Sequence, residues 1–382
     1  MEQQAEHTAW IDDARQLKAF CRGVAKGPLA VDTESDHFHA YQAQVCLIQL
    51  ATPQREALVD PLALKAGELA PLLRIFEDSA VPKILHAARN DIIEIDRDYG
   101  VGIANLFDTQ IAARFLDYER NSLNWMLESL LNVDTGGQYQ RYDWTTRPLP
   151  QKVLQYAMDD VRHLLALRDR FRRELKKEQW FDAFCQQCEF VARSVEYEAS
   201  DFDPDRWRKI KGSKKLDGRG RAALKALYLW RHKLCTELNR SAVTVFPNGV
   251  LKRLARVRPT TAEGVRKIKG LPAPLAREYS AAIAEAVQES LSAEIPPKEP
   301  PRRAYQPVPP EQKQRYNALR SWRNKMADKL AIPSEFIATN ATLTQVAEEP
   351  PSTVADLERF SAILPWHRQQ LGEAILEIVA RD

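Results

Sequence analysis

Apolar and polar positions change period along the first half of the chain. Asp13 to Val24 repeats its apolar residues at helical spacing and predicts a helix. Leu29 to Glu34 predicts a strand. Val45 to Ala51, apolar at nearly every position, predicts a buried one. Glu56 to Asp60 follows at hairpin distance as a third strand. Helical spacing returns at Pro71 to Phe76, Lys83 to His86 predicts a short strand, and Asp91 to Tyr99 predicts a helix. Beyond Asp108 the pattern is mostly helical, through Leu123 to Leu131 and Gln151 to Leu175. Strands followed by strand–helix alternation predict an α/β fold, a mixed sheet flanked by helices, over residues 1–200.

The remainder is all helical in pattern and repeats itself. Leu227, Trp230, Arg231, Lys233 and Leu238 recur 92 residues later as Leu319, Trp322, Arg323, Lys325 and Leu330. The same offset pairs Leu251 with Leu343, Leu254 with Val346, Ile283 with Ile375 and Val287 with Val379. The matches fall on apolar residues at helical spacing, so two copies of one small helical domain are expected, at 206–292 and 311–382. Between them, 293–310 is proline-rich and reads as an extended linker.

Length, 382 residues, suits two or three domains. No apolar run is long enough to span a bilayer. Met1 to Glu6 lacks the basic and apolar regions of a signal peptide, so a cytoplasmic protein without a membrane partner is expected. Five cysteines make no disulfide scaffold. Cys185 and Cys188 have the spacing of half a zinc site, without a second pair to complete it. The net charge is only +3, but roughly twenty Lys and Arg face about six Asp and Glu between Arg206 and Ser292. Such a run is either a solvated face or a polyanion-binding surface, where fixed cations release counterions from phosphates.

The chemistry lies in carboxylates. Asp32 and Glu34 are two apart in a predicted strand and project to one face. Two acids on one face of an apolar strand repel each other unless a cation neutralises them, and oxygen ligands favour Mg²⁺ or Mn²⁺ over zinc. Tyr156 and Asp160 share one face of a predicted helix, with Asp159 as a competitor. Asp91 and Asp108 each precede or open a helix, where capping is the ordinary role. Residue chemistry leaves open which of these two joins the Asp32 and Glu34 pair.

Four segments in order resemble the motifs of the DEDD 3′–5′ exonucleases. Val31-Asp-Thr-Glu34 with Cys46-Leu-Ile-Gln49 resembles the first. His86-Ala-Ala-Arg-Asn-Asp91 resembles the second, with Asp108-Thr-Gln as its companion. Trp144 to Leu149, leading into Tyr156-Ala-Met-Asp-Asp160, resembles the third. The two helical repeats resemble HRDC domains. Together they make the chain similar to the bacterial ribonuclease D family, and Tyr156 four residues before Asp160 places it in the tyrosine branch.

The resemblance implies a ribonuclease-H-like sheet domain and hydrolysis of 3′-terminal phosphodiesters to 5′-mononucleotides. It implies two divalent ions held by Asp32, Glu34, Asp91 and Asp160, with Tyr156 orienting the attacking water. RNA with a free 3′ end, such as precursor tRNA, is the implied substrate, and no nucleotide cofactor is expected. Lys211, Lys214, Lys215, Arg219, Arg221 and Lys225, a cluster for which the second repeat has no equivalent, are the expected RNA-binding cations. Ser35 follows Glu34 where many relatives have Phe, so Phe38, His37 and His86 become candidates for contacting the terminal nucleotide. A DNA 3′–5′ exonuclease or a non-catalytic nucleic-acid-binding module are the competing readings. A helicase is excluded, because the sequence holds no G-x-x-x-x-G-K-[ST] phosphate loop.

Overall fold

A computed structural model describes residues 8–24, 27–65, 67–134, 139–199, 201–298 and 307–380. Met1 to Glu6 and residues 299–306, the centre of the proline-rich segment, lie outside them.

Among the described residues six strands form one mixed sheet. They are β1 (Thr8–Ile11), β2 (Leu29–Ser35), β3 (Val45–Ala51), β4 (Glu56–Val59), β5 (Lys83–Leu85) and β6 (Leu106–Asp108), in the order β1-β4-β3-β2-β5-β6. β3 runs against both neighbours, and the other pairs are parallel. Every residue of β3 is buried, as its continuous apolar run requires. β1 and β6 escaped the sequence reading because each is too short to show a period.

Among the described residues eight helices accompany the sheet: α1 (Ala14–Arg22), α2 (Ala70–Glu77), α3 (Arg89–Tyr99), α4 (Thr109–Phe115), α5 (Leu123–Leu131), α6 (Gln151–Arg162), α7 (Leu164–Lys177) and α8 (Phe181–Ser194). Asp13 caps α1 by accepting from the amides of Arg15 and Gln16. The single helix expected over Gln151 to Leu175 is two, broken at His163. The break lets α6 lie across β2, β3 and β4 while α7 packs on α4, α8 and β5.

The helical remainder is a duplication in three dimensions. The first copy has α9 (Gly218–Leu238), α10 (Ala242–Val245), α11 (Asn248–Val257), α12 (Ala262–Arg266) and α13 (Ala273–Ser292). The second has α14 (Pro310–Leu330), α15 (Ser334–Ile337), α16 (Asn340–Glu348) and α17 (Pro365–Val379). Apart from α12, whose counterpart is the 3₁₀ turn Ala355–Arg359, each helix of the second copy begins 92 residues after its partner in the first.

The two copies belong to different compact units. One unit comprises the described residues of 1–35, 45–197 and 307–382, so the second copy shares the core of the sheet domain. Phe336 stacks on Phe115 at 4.7 Å, the Trp366 amide donates to Gln186 Oε1 at 2.9 Å, and Arg114 pairs with Glu335. The other unit holds the described residues of 198–306 together with 36–44, and has its own core around Trp207, Leu227, Leu251 and Ile283. Among the described residues no helix is long and apolar enough to cross a membrane.

Candidate active site

β2 carries the first two acids. Asp32 and Glu34 point to the face covered by α6, while Thr33 and Ser35 point to α3. A register shift between Glu34 and Ser35 ends the regular pairing, and the chain leaves the sheet there. α6 supplies the third acid. Among the described residues, Asp32, Glu34 and Asp160 form a group whose carboxylate oxygens lie within 4.8 Å of one another. Asp159, the competitor, turns away. It accepts from Gln155 Nε2 at 2.8 Å and pairs with Arg162 at 3.0 Å.

Asp91 sits in the first turn of α3, buried, next to this group rather than in it. Its Oδ1 accepts from the Thr33 amide at 3.0 Å and from Thr33 Oγ1 at 2.7 Å. Burial and mutual repulsion shift the whole set. Burial, then the charges of Asp91, Asp160 and Glu34, hold Asp32 well above the usual carboxylate range. Glu34 is pushed up to about 9, first by burial and then by Asp160 and Asp91. Asp91 and Asp160 both rise to about 7, again chiefly by burial. Glu94, one turn past Asp91, adds to the repulsion and accepts from Ser35 Oγ at 2.6 Å. Sequence reasoning passed over Glu94, although its i+3 spacing from Asp91 puts both on one face.

The donors are all oxygen, close and mutually repelling. That arrangement fits one or two hard divalent cations held by Asp32, Glu34 and Asp160, with Asp91 beside them.

Tyr156 lies one turn before Asp160 and shares a hydrogen bond with its carboxylate. Burial and the nearby acids raise its pKa, so the phenol stays protonated. Its ring packs against Tyr139 at 5.4 Å and Trp144 at 6.4 Å. Gln49, directly opposite Asp32 on β3, is fully buried, and neither atom of its amide has a hydrogen-bond partner among the described residues. The loop before α6 is fastened by Arg147. It bonds both oxygens of Asp60 at 2.7 and 2.8 Å and the carbonyls of Trp144, Thr146 and Cys46.

The other candidates have other partners. Asp108 caps α4 and also accepts from the amides of Ala87 and Ala88, so its role is structural. His86 Nδ1 bonds Thr109 Oγ1 at 2.9 Å, and burial lowers its pKa. His37 and Phe38 belong to the 36–44 segment of the other unit, with rings 4.2 Å apart. In that unit Lys211, Lys214, Lys215 and Arg219 are exposed, and Arg221 and Lys225 half-buried. Arg219 and Arg221 also bond the carbonyls of Ala293 and Pro296. Cys188 is buried and Cys185 exposed, with no metal cluster around them among the described residues.

Residues 8–176 match the 3′–5′ exonuclease family, and 221–287 and 312–379 each match the HRDC domain. The chain is 30% identical to Protein RRP6-like 2 of Arabidopsis thaliana over 74% of its own length. It spans 33% of that relative, and 44% and 40% of two others of the RRP6 type. It is 28% identical to Ribonuclease D of Pseudomonas paraeruginosa, over 97% of each chain. The crystal structure of Escherichia coli RNase D, described as an exoribonuclease involved in structured RNA processing, superposes with a TM-score of 0.62. That match covers 98% of both chains at 23% identity, a likeness of fold. From end to end, then, the chain is similar to ribonuclease D, with a segment that matches the 3′–5′ exonuclease family followed by two that match the HRDC domain.

Proposed function

We propose that the chain is a 3′–5′ exoribonuclease that hydrolyses the terminal phosphodiester of RNA and releases 5′-mononucleotides. The observation that carries this reading is the convergence of Asp32, Glu34 and Asp160 within 4.8 Å, inside the segment that matches the 3′–5′ exonuclease family. Two divalent ions, Mg²⁺ or Mn²⁺, would be held by Asp32, Glu34, Asp91 and Asp160. When bound they lower the pKa of water and neutralise charge on the phosphate. Tyr156, kept protonated, would orient the attacking water through its hydroxyl and is a poor general base. Thr33 fixes Asp91 through two bonds, so the fourth carboxylate is aimed before substrate arrives.

Precursor tRNA with a free 3′ end is the proposed substrate, and no nucleotide cofactor takes part. No disulfide joins the five cysteines among the described residues, which suits a cytoplasmic location. Lys211, Lys214, Lys215, Arg219, Arg221 and Lys225 are the proposed RNA-binding cations.

RNA and DNA oligonucleotides of one sequence, digested with Mg²⁺ or Mn²⁺, test the reading. The expected result is stepwise shortening of RNA from its 3′ end, with 5′-mononucleotides as product. Preferential cleavage of DNA, or cleavage of neither, overturns it. Lys214→Glu with Lys215→Glu should raise KM for a long RNA more than for a dinucleotide, and each lost phosphate contact should flatten the log–log salt slope by about 0.7.

A further inference from the structure

The unit formed by 36–44 and 198–306 contains a cavity of about 480 Å³ that the exonuclease reading leaves unused. One wall is aromatic. Phe202 lies flat on His232, with centroids 3.5 Å apart and planes 3° from parallel, and also stacks on Tyr228 at 5.3 Å. Tyr41 closes that side, its hydroxyl 2.6 Å from His232 Nδ1. The opposite chemistry is cationic: Arg231, Arg206 and Lys209 line the same space.

Arg231 is the informative residue, because the duplication supplies its control. Its counterpart Arg323 is equally buried and fully used. Arg323 donates to the Ala338 carbonyl, to Asn340 Oδ1 and twice to Asn324 Oδ1. Among the described residues Arg231 keeps only the matching carbonyl bond, to Phe246 at 2.6 Å, beside a cation–π contact with the Tyr228 ring at 5.7 Å. The position of Asn324 is taken by His232, which is committed to Tyr41 and Phe202. Asn248, the counterpart of Asn340, lines the cavity and makes no bond to Arg231. So a guanidinium that is 6% exposed retains donors facing a cavity, with no carboxylate paired to it among the described residues. A buried cation in that condition is costly unless an anion completes it.

We propose that this cavity is a nucleotide subsite for single-stranded RNA, with a phosphate on Arg231, Arg206 and Lys209 and a base against the Phe202 wall. The dimensions suit one nucleotide. Asp201 and Asp203 also line the rim. They repel a free multiply charged anion, yet can accept from a ribose hydroxyl or a base amine, which favours a nucleotide in a strand over free phosphate. The site deepens the exoribonuclease reading, on which it rests for the choice of RNA.

The test uses the full chain carrying Asp160→Asn, so that RNA is not cut, and a labelled single-stranded RNA followed by fluorescence anisotropy. Phe202→Ala should weaken binding about five-fold or more, the loss of one stacking contact, and Phe202→Leu should do so with the apolar packing retained. Arg206→Glu should weaken binding and flatten the log–log salt slope by about 0.7. Lys313→Glu, an exposed cation of the second repeat, should change little. If both Phe202 variants bind as well as their parent, or Lys313→Glu costs as much as Arg206→Glu, the subsite is refuted and a diffuse basic surface remains. Failure of the unmutated chain to hydrolyse RNA would instead sink the exoribonuclease reading and leave this measurement standing.

Discussion

Asp32 and Thr33 are neighbours in the chain, point to opposite sides of β2, and serve one site. Asp32 joins Glu34 and Asp160, while Thr33 carries Asp91 on its amide and hydroxyl. Thr33→Val keeps the shape and the amide bond but removes the hydroxyl, leaving Asp91 Oδ1 with one donor. The expected cost is about 1–3 kcal/mol in urea unfolding and a fall in turnover of about 10- to 100-fold, since partners that aim a ligand are nearly as important as the ligand. Asp160→Asn should behave in the opposite sense for stability. It removes one charge from a cluster in which every member is raised by the others or by burial, so the metal-free melting temperature should rise. Turnover should fall at least about 100-fold. The thermal shift that Mn²⁺ gives the unmutated chain should shrink, because binding to the native state alone is what stabilises. A melting series in EDTA and in Mn²⁺ separates the two effects.

At the scale of elements, α6 decides whether the acids meet. Its entry is set by Arg147, whose guanidinium joins Asp60 to three carbonyls of the preceding loop and of β3. Lysine cannot make that fork, so Arg147→Lys should cost about 1–3 kcal/mol in urea and lower turnover although Arg147 touches none of the four acids. The sequence made β2 and α6 readable for physical reasons. Asp32 and Glu34 interrupt an apolar strand at a spacing of two, and Tyr156 and Asp160 share a helical face. The motif resemblance supplied the link between them, which spacing within one element cannot. The break at His163 was not legible, because apolar residues stay in helical register on both sides of it. Nor was the tie between Asp91 and Thr33, 58 residues apart. The repeat was plain from its fixed offset, yet Arg231 and Arg323 match in type and differ in partners. Only packing separates them.

The two helical copies keep one pattern and go to different units, and the second shares a core with the sheet domain. A buried histidine ties together the two helices that form that docking surface. His367 on α17 is 2% exposed, takes the Leu364 amide on Nδ1 at 2.9 Å and has Nε2 2.6 Å from the Phe336 carbonyl. Both contacts suit the neutral ring with its proton on Nε2. Burial, the largest cause, pushes its pKa down to about 4. A folded-state pKa below the unfolded one makes the neutral form the stabilising one. That contribution is whole above about 6.5 and is lost as pH falls toward 4, on the order of 3 kcal/mol in all. The added proton goes to Nδ1, which can then no longer accept from the Leu364 amide, so the strain falls on the start of α17, where Trp366 meets the sheet domain. Trp180 and Trp366, 6.0 Å apart across this surface, report it. Tryptophan fluorescence titrated from pH 7 to 4 should change before the far-ultraviolet circular dichroism is lost. His367→Gln, which keeps a donor and an acceptor but does not titrate, should remove the early change. Coincident transitions in both proteins would show that the second repeat does not detach on its own and that His367 does not control it.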